Sequence, residues 1–152
     1  NLTANKIFSK YTFINSFESQ IKFTNGNILI NQLLLNLGKF GAADITGGIN
    51  NNDKFTKFRF ENNIFIDNLR YFYNKFDIYN REKGTSNLFV AGSFDLENLV
   101  MHIHEISNDK KFNNEDTNYI EKEFNNILLE NGYESFFDYL KLKKFVKLIV
   151  SE

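Results

Sequence analysis

Two histidines separated by one residue are the part of this sequence whose residue types and spacing most directly suggest chemistry. His102 and His104 flank Ile103, and alternate residues of a β-strand point to the same side. Two imidazoles at this spacing can bind zinc or copper, but such a site needs a third and a fourth ligand. Glu105 is predicted to point to the opposite side, and no other motif supplies obvious partners. The pair therefore favours a polar strand face, with a small metal-dependent enzyme as one hypothesis.

Other chemical motifs are absent from the sequence. Asp109, Glu115 and Asp116 lack the alternating oxygen ligands and the central glycine of a calcium loop. The glycines between positions 38 and 48 form neither GxGxxG nor a phosphate-binding loop, and we interpret them as strand turns and bulges. Because the chain has no cysteine, disulfides, thiolate zinc sites and cysteine nucleophiles are excluded. We predict no catalytic residue and no cofactor, and therefore a protein that is not an enzyme.

Composition limits the class of protein. A chain of 152 residues has room for a single domain, or is a segment of a longer protein, and its start at Asn1 suggests processing or excision. Its 42% hydrophobic and 16% aromatic residues exclude a disordered tail. A net charge of −1 argues against a nucleic-acid partner held through phosphates. No run of about 18 apolar residues is present, so no membrane-spanning segment is predicted.

Period-two alternation predicts a strand-rich region over residues 11–106. Phe17, Ile21 and Phe23 share one side of the first strand, and charged residues occupy the other. Asn25-Gly26 suits a tight hairpin turn, and a bulge is expected near Asn31-Gln32 because the apolar pattern changes side there. The predicted strands cover residues 11–23, 28–37, 42–49, 55–60, 88–94 and 99–106.

Helical periodicity appears once inside this region and again after it. Apolar residues at helical spacing predict a short helix at about 67–77, with Asp67 as its N-cap. The region 115–150 is predicted to hold two helices, the second of which (134–150) is apolar on most of its circumference. The predicted fold is α+β: a mainly antiparallel, twisted or curved β-sheet with one short inserted helix and a C-terminal helical pair.

The abundance of phenylalanine leaves two interpretations open. Aromatic side chains of the strands fill a packed core by default. Alternatively, they line an apolar groove in a curved sheet, where lipid chains replace packed side chains. The residues proposed for such a lipid groove are Phe58, Phe60, Phe89 and Phe94.

One glycine-punctuated pattern resembles a known family. The segment Gly26-Asn27-Ile28-Leu29-Ile30, followed by LLLNLGKFGAADITGGIN, is similar to the C-terminal region of AsmA-like proteins, and GSFDL with residues 96–106 looks like a second instance. The resemblance covers about residues 17–106. It implies a large envelope protein of a Gram-negative bacterium, anchored in the inner membrane and mostly periplasmic. Similar proteins fold as long curved sheets with an apolar groove, are linked to phospholipid movement or outer-membrane biogenesis, and offer no catalytic residue to carry over.

Two further functional hypotheses follow. The first is a non-enzymatic segment of an AsmA-like envelope protein, with phospholipid or an envelope protein as its partner. The alternative is a protein-binding or scaffold module that docks through a sheet edge or through the apolar helix 134–150.

Overall fold

The chain forms one antiparallel sheet in which the strands follow one another in chain order. A computed structural model describes residues 1–6, 14–52, 56–79, 83–108, 110–132 and 138–151. Within these residues the sheet has 8 strands in the order β1 to β8, and each pairs with its neighbour in the sequence. The strands are β1 (Leu2–Ala4), β2 (Ser16–Thr24), β3 (Asn27–Asn36), β4 (Gly41–Ile49), β5 (Lys57–Ile66), β6 (Ser86–Asp95), β7 (Val100–Asn108) and β8 (Lys110–Lys111).

Three α-helices, α1 (Leu69–Lys75), α2 (Asn114–Asn131) and α3 (Tyr139–Ser151), and one turn of 3-10 helix (Gly38–Phe40) complete the described fold. The predicted α+β class, the antiparallel sheet, the inserted short helix and the C-terminal helical pair are confirmed. Residues 11–13 of the predicted first strand and residues 134–137 of the predicted last helix lie outside the described residues. Among the residues that the structure describes, no helix is long and apolar enough to cross a membrane.

Two turns form where the sequence predicts them. Asn25 and Gly26 have φ values of 51° and 79°, as a two-residue hairpin turn with two positive φ angles requires. Between β6 and β7, the Asp95 carboxylate accepts hydrogen bonds from the Glu97 N–H at 3.0 Å and the Asn98 N–H at 2.9 Å. The side-chain amide of Asn98 also donates to Asp95, and this bond lowers the pKa of the carboxyl group below its ordinary value.

The predicted bulge in β3 is confirmed. Gln20 pairs with Gln32 and Ile21 with Ile30, so Asn31 is an extra residue in β3. The bulge reverses the alternation, and the apolar residues on either side of it, Ile30 and Leu33, consequently face the same side of the sheet.

Several strand predictions are wrong in extent. β5 does not stop at residue 60 but continues to Ile66, and β1 and β8 were not predicted. Gly47-Gly48 does not interrupt β4, because both glycines pair with β3 on one side and with β5 on the other. These errors share a cause, since short or polar stretches such as Asn62-Asn63 carry no apolar alternation and are held in the sheet by their neighbours.

The helices begin at polar side chains. The N-cap of α1 is Asn68 and not Asp67, because the Asn68 side chain accepts from the Tyr71 N–H at 2.9 Å. α2 begins at a capping box: Asn113 accepts from the backbone of Asp116 at 2.9 Å, and the Asp116 carboxylate accepts from the Asn113 N–H.

A hydrophobic core joins the C-terminal helices to the last long strands. Ile120 and Leu128 of α2 and Ile149 of α3 cluster with residues of β6 and β7. The largest side chains that are almost fully buried belong to this cluster: Ile106, Ile120 and Leu128. A smaller cluster joins α1 to the end of β5 through Ile66, Leu69 and Tyr73.

Candidate functional site

The strand register divides the sheet into two chemically different sides. Directly paired residues of an antiparallel ladder point to the same side. We define the apolar side by the paired row Phe23, Ile28, Ile49, Phe58, Phe94 and Met101. We define the polar side by the paired row Lys22, Leu29, Gly48, Arg59, Ser93 and His102.

The helices cover only part of the apolar side. Both hydrophobic clusters draw their strand residues from β5, β6 and β7, for example Phe60, Phe94 and Ile103. Toward β2, none of the described helix residues of either cluster covers this side. We call this part the open apolar face, which consists of Ile21, Phe23, Ile28, Ile30, Leu33, Ile45, Ile49 and Phe58.

The open apolar face is accessible at its β2 end and half-buried elsewhere. Phe23 is 72% exposed and Ile21 is 37% exposed, while the residues of β3, β4 and β5 in this set are half-buried. The side chains of this set carry no charge and no hydrogen-bonding group, and the polar residues Ser19 and Asn62 adjoin it on the same side of the sheet. The set itself offers hydrophobic contact, which suits hydrocarbon chains or another apolar protein surface.

Three of the four aromatic residues proposed for a lipid groove lie on the apolar side of the sheet, and the fourth, Phe89, does not. Phe94 is buried in the main core and Phe60 packs against it. Phe58 lies on the open apolar face, with its ring stacked 5.8 Å from that of Phe60. Phe89 pairs with Asn63 and Ser107 and therefore faces the polar side. Phe58 is thus the member of this set that the open apolar face includes.

Glycines make room for these aromatic rings. Gly47 pairs with Phe60, and a Cβ atom at Gly47 would lie 2.2 Å from the Arg59 carbonyl oxygen and 3.0 Å from the Phe58 ring. Because real Cβ atoms do not approach so closely, the rings can pack against the backbone only where the side chain is absent.

The polar side carries a groove of about 680 Å³. Its floor is built from small residues of β4 and β6, including Gly48 and Ala91, and its walls include Lys22, Arg59 and Glu61. His104 lines the same groove. Two cationic groups and a carboxylate therefore stand around this groove, whereas the open apolar face has no charged side chain.

The histidine pair lies on the polar side, but Glu105 does not oppose it. Ala91 pairs with Glu105 and Gly92 with Ile103, so His104 is the extra residue of a bulge. The bulge brings Glu105 to the side of His102, and the prediction of the opposite side is wrong. His102 Nδ1 lies 3.4 Å from Glu121 Oε1 of α2. Within the described ranges, no group of three or more metal-ligating side chains is present.

Sequence reasoning missed most of the open apolar face. Ile45 and Ile49 of β4 and Ile28 and Ile30 of β3 were recognised as strand residues but not as a surface. The available signal was that β2, β3 and β4 are apolar on one side while the predicted helices lie far away in the sequence.

Similarity to known proteins adds nothing to this site. Comparisons of the chain with protein-family models, with curated proteins and with solved structures find no match.

Proposed function

We propose that this chain is a non-enzymatic segment of an AsmA-like cell-envelope protein that holds the acyl chains of phospholipids on its open apolar face. The observation that carries the proposal is the continuous row of aliphatic and phenyl side chains on β2, β3 and β4 outside both hydrophobic clusters. Lipid chains need only such contact, at about 0.8 kcal/mol for each buried methylene group.

The resemblance of residues 17–106 to AsmA-like proteins supports the same setting. It implies a long curved sheet with an apolar groove, and the sheet here has one apolar side. Under this proposal the chain is part of a periplasmic region anchored in the inner membrane of a Gram-negative bacterium. Its role is lipid handling or support of outer-membrane biogenesis.

Native mass spectrometry tests the proposal. The protein would be purified from bacterial membranes and from cytosol, mixed with vesicles of phosphatidylethanolamine and phosphatidylglycerol, re-isolated, and extracted for lipid. We expect bound phospholipid with the wild-type chain. Ile21→Asp/Phe23→Asp should abolish it, because the two charges stand at the accessible end of the open apolar face.

A matched variant distinguishes the apolar side from general surface hydrophobicity. Leu29 and Leu34 are 48% and 38% exposed on the polar side of β3. Leu29→Asp/Leu34→Asp introduces the same charges and should leave lipid uptake intact. A lipid-free wild-type chain, or equal loss in both double variants, would contradict the proposal.

A second candidate is a protein-docking module, and the edge of β2 favours it. β1 pairs only with residues Phe17 to Ser19, and no described strand pairs with residues 20–24 on that edge. A partner strand could add there by backbone hydrogen bonds. Concentration-dependent association of a lipid-free chain would favour this candidate.

A further inference from the structure

The outer edge of β7, the last long strand, is paired with another described strand only at its C-terminal end. β6 pairs with the whole of β7, whereas β8 pairs only with Ser107 and Asn108. Along the rest of that edge, β7 presents an apolar strand with Met101, Ile103 and Ile106. An unpaired edge of this kind is a template for strand addition by another copy of the same chain.

Two polar side chains of α2 occupy this edge. The Met101 N–H donates to the Asn125 side-chain oxygen at 2.7 Å, and the Asn125 amide donates back to the Met101 carbonyl at 2.8 Å. The Ile103 N–H donates to Glu121 Oε2 at 2.7 Å. The Asn125 amide thus gives and receives the same pair of bonds that a peptide group of an adjacent strand would exchange with Met101.

Glu121 and Asn125 can both reach the edge of β7 because residues four apart on a helix and residues two apart on a strand are separated by similar distances. Residues two apart on a strand direct their N–H groups to the same edge and are about 6.8 Å apart. Residues four apart on a helix lie on the same face and are about 6 Å apart along its axis. Glu121 and Asn125 therefore reach Ile103 and Met101, with the helix antiparallel to the strand.

Further along β7, the backbone of the same edge also has a hydrogen-bond partner. The Phe112 N–H donates to the Ile106 carbonyl at 3.2 Å, next to the short ladder with β8. Meanwhile the buried residues Ile120 and Leu128 fix α2 to the core. These apolar contacts hold the helix, but they leave the edge N–H groups without an acceptor unless Asn125 and Glu121 supply one.

We infer that Asn125 and Glu121 form a surrogate strand that closes the β7 edge and prevents a second copy of this chain from pairing with it. This inference is independent of the proposed lipid function, because it concerns the opposite end of the sheet. The partner that is excluded is an extended β-strand, recognised by its backbone, with apolar side chains at alternate positions.

The test is the double variant Asn125→Ala/Glu121→Ala of the full chain. Hydrogen exchange by NMR should be faster by roughly tenfold or more at the Met101 and Ile103 amides, because each loses its acceptor. Light scattering coupled to size-exclusion chromatography should reveal concentration-dependent oligomers. The matched control is Glu123→Ala/Asn126→Ala, since these residues have the same types, lie on the same helix and contact each other at 3.4 Å; it should change neither readout.

Each outcome decides the inference. Unchanged exchange would overturn the hydrogen-bond closure, and fast exchange in a chain that stays monomeric would overturn the protective role. If circular dichroism shows that the double variant is unfolded, single variants at Glu121 test the inference instead. Glu121→Gln keeps an oxygen acceptor for the Ile103 N–H and should remain protected and monomeric, whereas Glu121→Ala should not.

Discussion

Individual side chains decide which part of the apolar side is core and which part is open. Phe60 and Phe58 are two residues apart on β5 and stack on each other, yet only Phe60 packs against the buried cluster under α2 and α3. Phe23 faces the same side three strands away and is 72% exposed. The same residue type therefore has three different energetic roles on one side of one sheet.

Phe60→Ala is expected to lower the free energy of unfolding by about 3 kcal/mol, because truncating a packed phenylalanine loses burial and leaves a cavity. Urea denaturation followed by circular dichroism measures the change. Phe23→Ala serves as the control and should cost less than about 1 kcal/mol, since that ring is already largely in water. Equal costs for the two substitutions would show that the boundary between core and open apolar face is misplaced.

At the scale of elements, α2 depends on its N-terminal capping box. Asn113→Ala should destabilise the protein by about 1 kcal/mol, because it leaves the Asp116 N–H without its side-chain acceptor. The change is measured as a shift of the urea midpoint at constant slope. Asn118→Ala, at an exposed position within the same helix, should be neutral or slightly stabilising because alanine has the higher helix propensity.

The turn that follows α1 is joined to α3 by an ion pair that depends on pH. Lys143 Nζ lies 2.6 Å from Asp77 Oδ2, and the hydrogen bond and charge of Lys143 lower the pKa of Asp77. A lowered pKa means that the folded state favours the ionised carboxylate. The pair therefore stabilises the protein above the ordinary pKa of aspartate, about 4, and this contribution is lost as pH falls through the lowered pKa.

Asp77→Asn should accordingly lower the melting temperature at pH 7, and the difference from wild type should disappear in strong acid. Asparagine tolerates the positive φ of 48° at this position. The pair is solvent-exposed, so the difference should be small and should shrink in high salt. In a Lys143→Ala background the pH-dependent effect of the substitution should shrink to the smaller contribution of the Lys147 charge, and an undiminished effect there would assign the pH dependence to another group.

Local patterns predicted most elements, because strands and helices of this chain repeat their apolar residues at the expected periods. The sequence also contained one signal that was not used: Phe89 and Phe94 are five residues apart, and an odd separation in an uninterrupted strand places side chains on opposite sides. By contrast, the bulge at His104 could not be foreseen, since it arises from the pairing of β6 with β7. Likewise, α2 meets β7 through contacts 18 and 24 residues apart, which no local pattern encodes.

At the scale of the whole molecule, the sheet is asymmetric. Its apolar side is covered by helices toward β7 and open toward β2, while its polar side carries the groove with Lys22, Arg59 and Glu61. The proposed lipid function uses the open apolar face, and the inferred surrogate strand uses the closed edge. The two assignments concern different ends of the same sheet and can fail separately.

The agreement of strand order with chain order has a consequence for synthesis on the ribosome. Every strand pairs with the strand made immediately before it, so each hairpin can form as soon as its second strand has left the exit tunnel, without waiting for distant segments. At every stage, however, the strand formed last has an edge whose backbone N–H and C=O groups are not yet paired. For β7 that exposure ends when residues 121–125 emerge, so the inferred surrogate strand predicts an interval between the release of β7 and the release of α2 in which nascent chains on neighbouring ribosomes can pair through this edge.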